Sequence, residues 1–174
     1  MDLLQATDAI ITVLAAVVGG IWAIVKVRKR REHAPRISFD VDINLVGIQN
    51  DHWLVELVAN VNNRGLVRHE IKEFTFDLRG LFEGDTLEDG SDKINNQTVI
   101  PYLLKEGAWL PSGWRYTFIE PSLETRYSFI TSVPTRATFL LLHGRFDYDG
   151  ATSFHTADCL IRVPKSDADS SSAA

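Results

Sequence analysis

Residues 37–61 read ISFDVDINLVGIQNDHWLVELVANV, and the period of this stretch decides the fold class. Ile37, Phe39, Val41, Ile43 and Leu45 alternate with Ser38, Asp40, Asp42 and Asn44. Trp53, Val55, Leu57, Ala59 and Val61 then repeat the alternation against Glu56 and Asn60. A period of two sends successive side chains to opposite faces, which is the pattern of a half-buried strand. Gln49-Asn50-Asp51 between the runs is polar and suits a turn. The stretch therefore predicts two strands with one face toward a common core.

The same alternation continues toward the C-terminus. Asn62-Asn63-Arg64-Gly65 makes the next break, because Asn and Gly accept positive φ at little cost. A third strand is expected from about Glu70, with Phe74, Phe76 and Leu78 inward; Ile71 is out of phase with them, which fits a bulge or a late strand start. Gly80–Asp92 is rich in glycine and acid and reads as a loop. Shorter strands are expected at Lys93–Ile100 and Arg115–Ile119, and longer ones at Glu124–Thr131, Ala137–Tyr148 and Phe154–Val163. Asp149-Gly150 is a tight-turn dipeptide between the last two. No amphipathic helix of three turns is expected after residue 36.

Seven or eight short strands with Gly, Asn and Pro at their turns predict an all-β fold. Residues 55–80, VELVANVNNRGLVRHEIKEFTFDLRG, resemble a strand–turn–strand of immunoglobulin-like or fibronectin-like sandwiches, with an Asn-x-Gly corner. The resemblance implies an immunoglobulin-like antiparallel β-sandwich, with a small β-barrel as the alternative. It implies no functional residue, and with a single cysteine the antibody-type disulfide is absent.

The N-terminus differs in kind. Ala9–Val25, AIITVLAAVVGGIWAIV, carries no charge, and Lys26, Arg28, Lys29, Arg30 and Arg31 follow it at once. About 25 Å of helix with a basic flank predicts a single transmembrane anchor. Lys and Arg favour the cytoplasmic side, so the N-terminus is expected outside and the β-domain in the cytosol. Thr12, Ala15, Ala16, Gly19, Gly20 and Ala23 lie in steps of four and form a candidate helix–helix interface for a homo-oligomer. The expected organisation is an anchor helix at 1–27, a basic juxtamembrane linker at 28–35, a β-sandwich at 36–165 and a disordered tail at 166–174. Asn96-Gln97-Thr98 matches a glycosylation sequon, which has no meaning on the cytosolic side.

Charge excludes one class of partner. After Arg36 the chain holds twelve Lys and Arg against twenty Asp and Glu, a net charge of −8. Such a domain repels nucleic acid.

The search for chemistry finds little. His33, His52, His69, His143 and His155 lack the close spacing of a metal site; His155 and Cys159 lie about 13 Å apart on a strand. A hairpin could bring His143 to His155, depending on its register. Glu83, Asp85, Glu88, Asp89 and Asp92 have the wrong spacing for a calcium loop, because Leu87 stands at a ligand position. No nucleophile elbow, phosphate loop or dinucleotide fingerprint occurs, so no cofactor is implied. Residues 107–116, GAWLPSGWRY, gather Trp109, Trp114, Arg115 and Tyr116 into a candidate binding surface. Closure of the core by one or both Trp is the competing account.

Three functions are consistent with these features. The first is a membrane-tethered module that binds a protein partner. The second is a ligand-sensing membrane effector that oligomerises through its helix. The third is an enzyme whose groups converge from distant strands.

Overall fold

The computed structural model of the chain describes residues 3–29, 35–87, 89–90, 97–149 and 153–165. Helix α1 (Leu3–Lys29) is followed by ten strands. These are β1 (Ile37–Gln49), β2 (His52–Asn63), β3 (His69–Phe82), β4 (Asp89–Gly90) and β5 (Gln97–Thr98). The chain continues with β6 (Tyr102–Ala108), β7 (Tyr116–Ile119), β8 (Glu124–Pro134), β9 (Ala137–Tyr148) and β10 (Phe154–Arg162). Every pairing is antiparallel. One sheet runs β1-β2-β8; the other runs β10-β9-β3-β6, with β7 also on β3; β4 and β5 pair separately. The sheets do not close into a barrel, which removes that alternative.

The alternation seen in the sequence becomes the core. Phe39, Val41 and Ile43 pair with Val61, Ala59 and Leu57 across their own sheet, and Ile37 and Val55 extend the two rows, all buried. The second sheet supplies Leu78, Leu140, Leu142 and Phe146, each 0% exposed. At the centre the rings of Phe39, Phe74 and Phe146 meet edge to face, with centroids 5.1–5.8 Å apart. Aromatic pairs favour this geometry because ring edges are positive and faces negative. Gly144 lets the sheets approach: a Cβ there would lie 2.7 Å from Val41 and 2.8 Å from Phe39.

The β1–β2 turn is as expected. Asn50 and Asp51 both have positive φ (50° and 57°), the signature of a two-residue type I′ hairpin. The corner at Asn63 works differently, by side-chain hydrogen bonds rather than by positive φ at Asn63 or Gly65. Three other expectations need correction. Strand β3 runs on through Phe82, into the stretch read as loop. Strand β6 lies where none was expected, and only Gln97–Thr98 of the strand predicted at 93–100 is observed, residues 93–96 being outside the described residues. The Tyr148 N–H donates to the Ser153 carbonyl at 3.3 Å, so the last hairpin encloses four residues rather than two.

The membrane anchor is overturned. Among the described residues no helix is long and apolar enough to cross a membrane. Asp8 and Lys26 lie inside α1, leaving an uncharged run of seventeen positions from Ala9 to Val25. The anchor at 1–27, the N-out topology, the membrane as partner and oligomerisation through Thr12, Ala15, Ala16, Gly19, Gly20 and Ala23 therefore lose their support. Beta-carbons added at Gly19 or Gly20 would meet nothing within 4 Å. Of the basic residues, Arg28 and Lys29 are helical, Lys26 holds its ammonium 4.4 Å over the Trp22 ring, and Arg30 and Arg31 lie outside the described residues. The tail at 166–174 also lies outside them.

Candidate functional site

Strand β3 is the spine of the larger sheet. Strand β9 pairs along one side of it, while β7 takes Glu70, Ile71 and Lys72 and β6 takes Thr75 to Gly80 on the other. Between those two stations β3 bulges. Lys72 pairs with Asp147 and Thr75 with Arg145, so Glu73 and Phe74 together oppose one residue of β9. Glu73 adopts a φ of 47°, a conformation that costs an L-residue about 1–2 kcal/mol. The extra residue restores the phase: Ile71 and Phe74 both point inward, at 0% and 2% exposure. This is the physical content of the out-of-phase Ile71.

The loop from Trp109 to Arg115 spans that gap. The Trp109 N–H donates to the Phe74 carbonyl at 2.9 Å, and its ring packs 4.9 Å from Phe76 and 6.0 Å from Phe74. Trp109 is buried and belongs to the core, so it leaves the candidate binding surface. Pro111 to Trp114 then form a turn, closed by Trp114 N–H to the Pro111 carbonyl at 3.0 Å. Gly113, with φ of 91°, holds the position of a type II turn that only glycine occupies freely.

That turn throws Trp114 outward, where it is 64% exposed. Tyr116 and Phe118 follow at alternate positions of β7 and stay exposed on the same face. Their centroids are 5.5 Å apart, and the Arg68 guanidinium lies 4.2 Å over Phe118. Arg115 is exposed, and no carboxylate pairs with it among the described residues. Two open grooves flank the strip: about 480 Å³ along Gly113–Phe118, and about 570 Å³ running over the β3 bulge at Glu73 to Trp114 and Tyr116. Of the four predicted surface residues, Trp114, Arg115 and Tyr116 come together and Trp109 does not. Phe118 and Arg68 were missed, although the Trp-x-Tyr-x-Phe spacing of 114–118 carries the signal for Phe118.

Elsewhere the described titratable side chains meet mainly in pairs. His143 Nδ1 lies 2.6 Å from Asp158 Oδ1, and the register places Asp77 on its other side. No hydroxyl is hydrogen-bonded to that ring among the described residues, so an oriented base lacks a nucleophile. His155 lies opposite Phe146, three positions along from His143, and packs inward, so the two imidazoles do not meet. Among the described residues no group of three His, Cys, Asp or Glu could hold a metal ion. In the acidic loop, Asp85 Oδ2 accepts the Phe82 N–H at 2.7 Å and Glu83 pairs with Lys165 at 2.7 Å. Those carboxylates close a turn and hold Lys165 beside it. Cys159, half-buried at the β1–β10 seam, sits 3.7 Å from Asp42; burial and that carboxylate push its thiol pKa up, away from reactivity.

One half-buried cluster is expected to couple folding to pH. Tyr148 lies edge-on to both His69 (5.9 Å) and His155 (5.4 Å), and burial raises its pKa to about 12. Burial lowers the pKa of both imidazoles. Above the unfolded value of about 6.5 both states are neutral and stability is at its full value. Below it the unfolded chain takes up protons that the folded imidazoles refuse, so stability falls until the depressed folded values are passed. Thermal melts from pH 8 to pH 5 should show a falling Tm, and the double change His69→Phe with His155→Phe should flatten the slope. An unchanged slope in the double variant would place the sensitivity elsewhere.

No family model matches the chain, and no curated protein matches it. Among solved structures it is similar to the Northeast Structural Genomics Consortium target SoR45, at 14% identity and a TM-score of 0.45, covering 74% of this chain and 86% of that one. It is also similar to the protein named ApaA from Bordetella pertussis, at 13% identity and a TM-score of 0.45, covering 76% of this chain and 97% of that one. The sporulation control protein Spo0M from Bacillus subtilis matches at 13% identity and a TM-score of 0.43, over 72% of this chain and 48% of its own. This chain thus spans about half the length of Spo0M, and none of the three likenesses assigns it to a family.

Proposed function

We propose that residues 36–165 act as a protein-recognition module that presents Trp114, Tyr116 and Phe118 to its partner. The observation that supports this reading is the exposure of three neighbouring aromatic rings, Trp114 at the end of the 111–114 turn and Tyr116 and Phe118 at alternate positions of β7. A monomer gains nothing by leaving such rings in water, whereas a partner that covers them gains both area and a rigid anchor. Arg115 at the margin favours a carboxylate on the partner. The glycine turn at Gly113 and the strained Glu73 hold the strip in place before binding, which lowers the ordering cost of association.

The test places a photo-crosslinking amino acid at Thr117 and asks what the full chain captures in its native cell. A discrete adduct is expected from the parent. Trp114→Ala should weaken capture about thirtyfold, the size of a 2 kcal/mol hot spot, while leaving the Tm unchanged. Equal capture by parent and Trp114→Ala, or no discrete adduct, would remove the strip from the function.

A further inference from the structure

The two edges of the smaller sheet are not equivalent. On the β1 side the inner row Ile37, Phe39, Val41 and Ile43 is 5–8% exposed, because β9 and β10 close over it. Phe39 meets Phe146 of β9 at 5.1 Å, and Cys159 of β10 reaches Asp42 at 3.7 Å. On the β8 side the inner row Thr125, Tyr127, Phe129 and Thr131 stays half-exposed, although its neighbours Val55, Leu57, Ala59 and Val61 on β2 are 0% exposed.

A difference in sheet width explains this. Tyr127 packs on Phe74 at 5.1 Å and Phe129 on Phe76 at 4.9 Å, so β8 lies opposite β3. The larger sheet continues one rank further, to β6, and no described strand lies opposite it. Among the described residues, the place beside β8 and beneath β6 therefore holds no strand. The edge itself is unblunted: β8 spans eleven residues without a bulge against β2, has no Lys, and has Pro only at its last position. Its one Arg, Arg126, is drawn back to Glu56 at 2.8 Å. Lys105 of β6 overhangs the slot with its ammonium 6.0 Å from the Phe129 ring, and no carboxylate pairs with it among the described residues.

We infer that the β8 edge is a receiving slot for an extended segment of a partner protein, which adds a fourth strand to the smaller sheet opposite β6. The segment carries apolar side chains at alternate positions, to cover Tyr127 and Phe129, and an acidic residue in that inward row to meet Lys105. Main-chain hydrogen bonds to β8 supply affinity, and the inward row supplies selectivity. A second copy of this chain is a poorer fit: pairing β8 with its own counterpart would drive two overhanging β6 strands toward each other. The inference stands on β8 and β6 and does not depend on the Trp114 strip.

The test uses the full chain and three acetylated, amidated peptides. The first is Thr-Val-Thr-Val-Thr-Asp-Thr-Val-Thr, the second replaces its Asp by Lys, and the third has the first composition with its Val residues in one run. At about 1 mM the first peptide should slow amide exchange at alternate β8 residues about tenfold, and the run-together control should not. Lys105→Glu should reverse the preference for Asp over Lys by about fivefold in each direction, while Trp114→Ala changes nothing. Absence of β8 protection, equal protection by the control peptide, or an Asp-over-Lys preference that survives Lys105→Glu would overturn the inference. So would β8 protection that rises with protein concentration in the absence of peptide, since the occupant would then be a second copy.

Discussion

Phe146→Ala should lower the melting temperature of the β domain by about 15 °C. Phe146 is 0% exposed and its ring touches Phe39, Phe74, Tyr148 and His155, so it joins both sheets and the pH-sensitive cluster. Truncating a buried Phe removes its transfer free energy and leaves a cavity, together about 4 kcal/mol. For a domain of about 130 residues, near 2 cal/mol/K of unfolding entropy per residue converts this to the stated shift. Phe146→Leu refills most of the space and should lose about a third as much. Differential scanning fluorimetry reads both; a drop below about 5 °C for the Ala variant would mean that the three-ring centre does not hold the sheets together.

Asn63→Ala should cost nearly as much, about 3 kcal/mol, for a different reason. Asn63 is the one buried polar side chain among the described residues, at 0% exposure. Its Nδ2 donates to the carbonyls of Val67 (2.9 Å) and Ile119 (3.0 Å), and its Oδ1 accepts the Gly65 N–H at 2.9 Å. One side chain thus ties the end of β2 to the 64–67 turn and to the last residue of β7. Alanine leaves two carbonyls and an amide without partners in a place where water does not replace them, and each buried orphan costs about 1–3 kcal/mol. Asn63→Asp keeps the acceptor, loses both donor bonds and buries a charge, so it should be no better at pH 7. Chemical denaturation of the two variants checks the order; a loss below about 1 kcal/mol for Asn63→Ala would show that the corner is held by its backbone alone.

The corner also shows where sequence reading stops. Asn62-Asn63-Arg64-Gly65 was legible as a break, since the alternation ends there. That Asn63 bonds to Ile119, 56 residues away, follows only from the folded position of β7. The same limit applies at 107–116. Trp109 and Trp114 have similar neighbours in sequence, yet one sits 6% exposed and the other 64%. Their fates divide because the β3 bulge opens a gap that Trp109 fills and because the turn at Gly113 reverses the direction of the chain. Strand β6 escaped detection for a related reason. Leu103 and Leu104 are adjacent, and the strand shifts register against β3 between Leu78 and Arg79. A strand at the overhanging edge of a sheet buries too little of either face to show a clean period.

The N-terminal segment reverses the pattern. The helix over Leu3–Lys29 is present, but the membrane assignment drawn from its composition does not survive, because among the described residues no helix is long and apolar enough to cross a membrane. By itself the sequence determined the β class, the inward rows of β1 and β2, the turn at Gln49-Asn50-Asp51 and the phase slip at Ile71. Each of these is a property of residues within reach of one another along the chain, where a period of two or a preference for φ is enough. The tertiary structure alone decided which strands became neighbours, which Trp remained in water, and that one sheet is a rank narrower than the other. Those outcomes depend on contacts between segments tens of residues apart, and no local period encodes them.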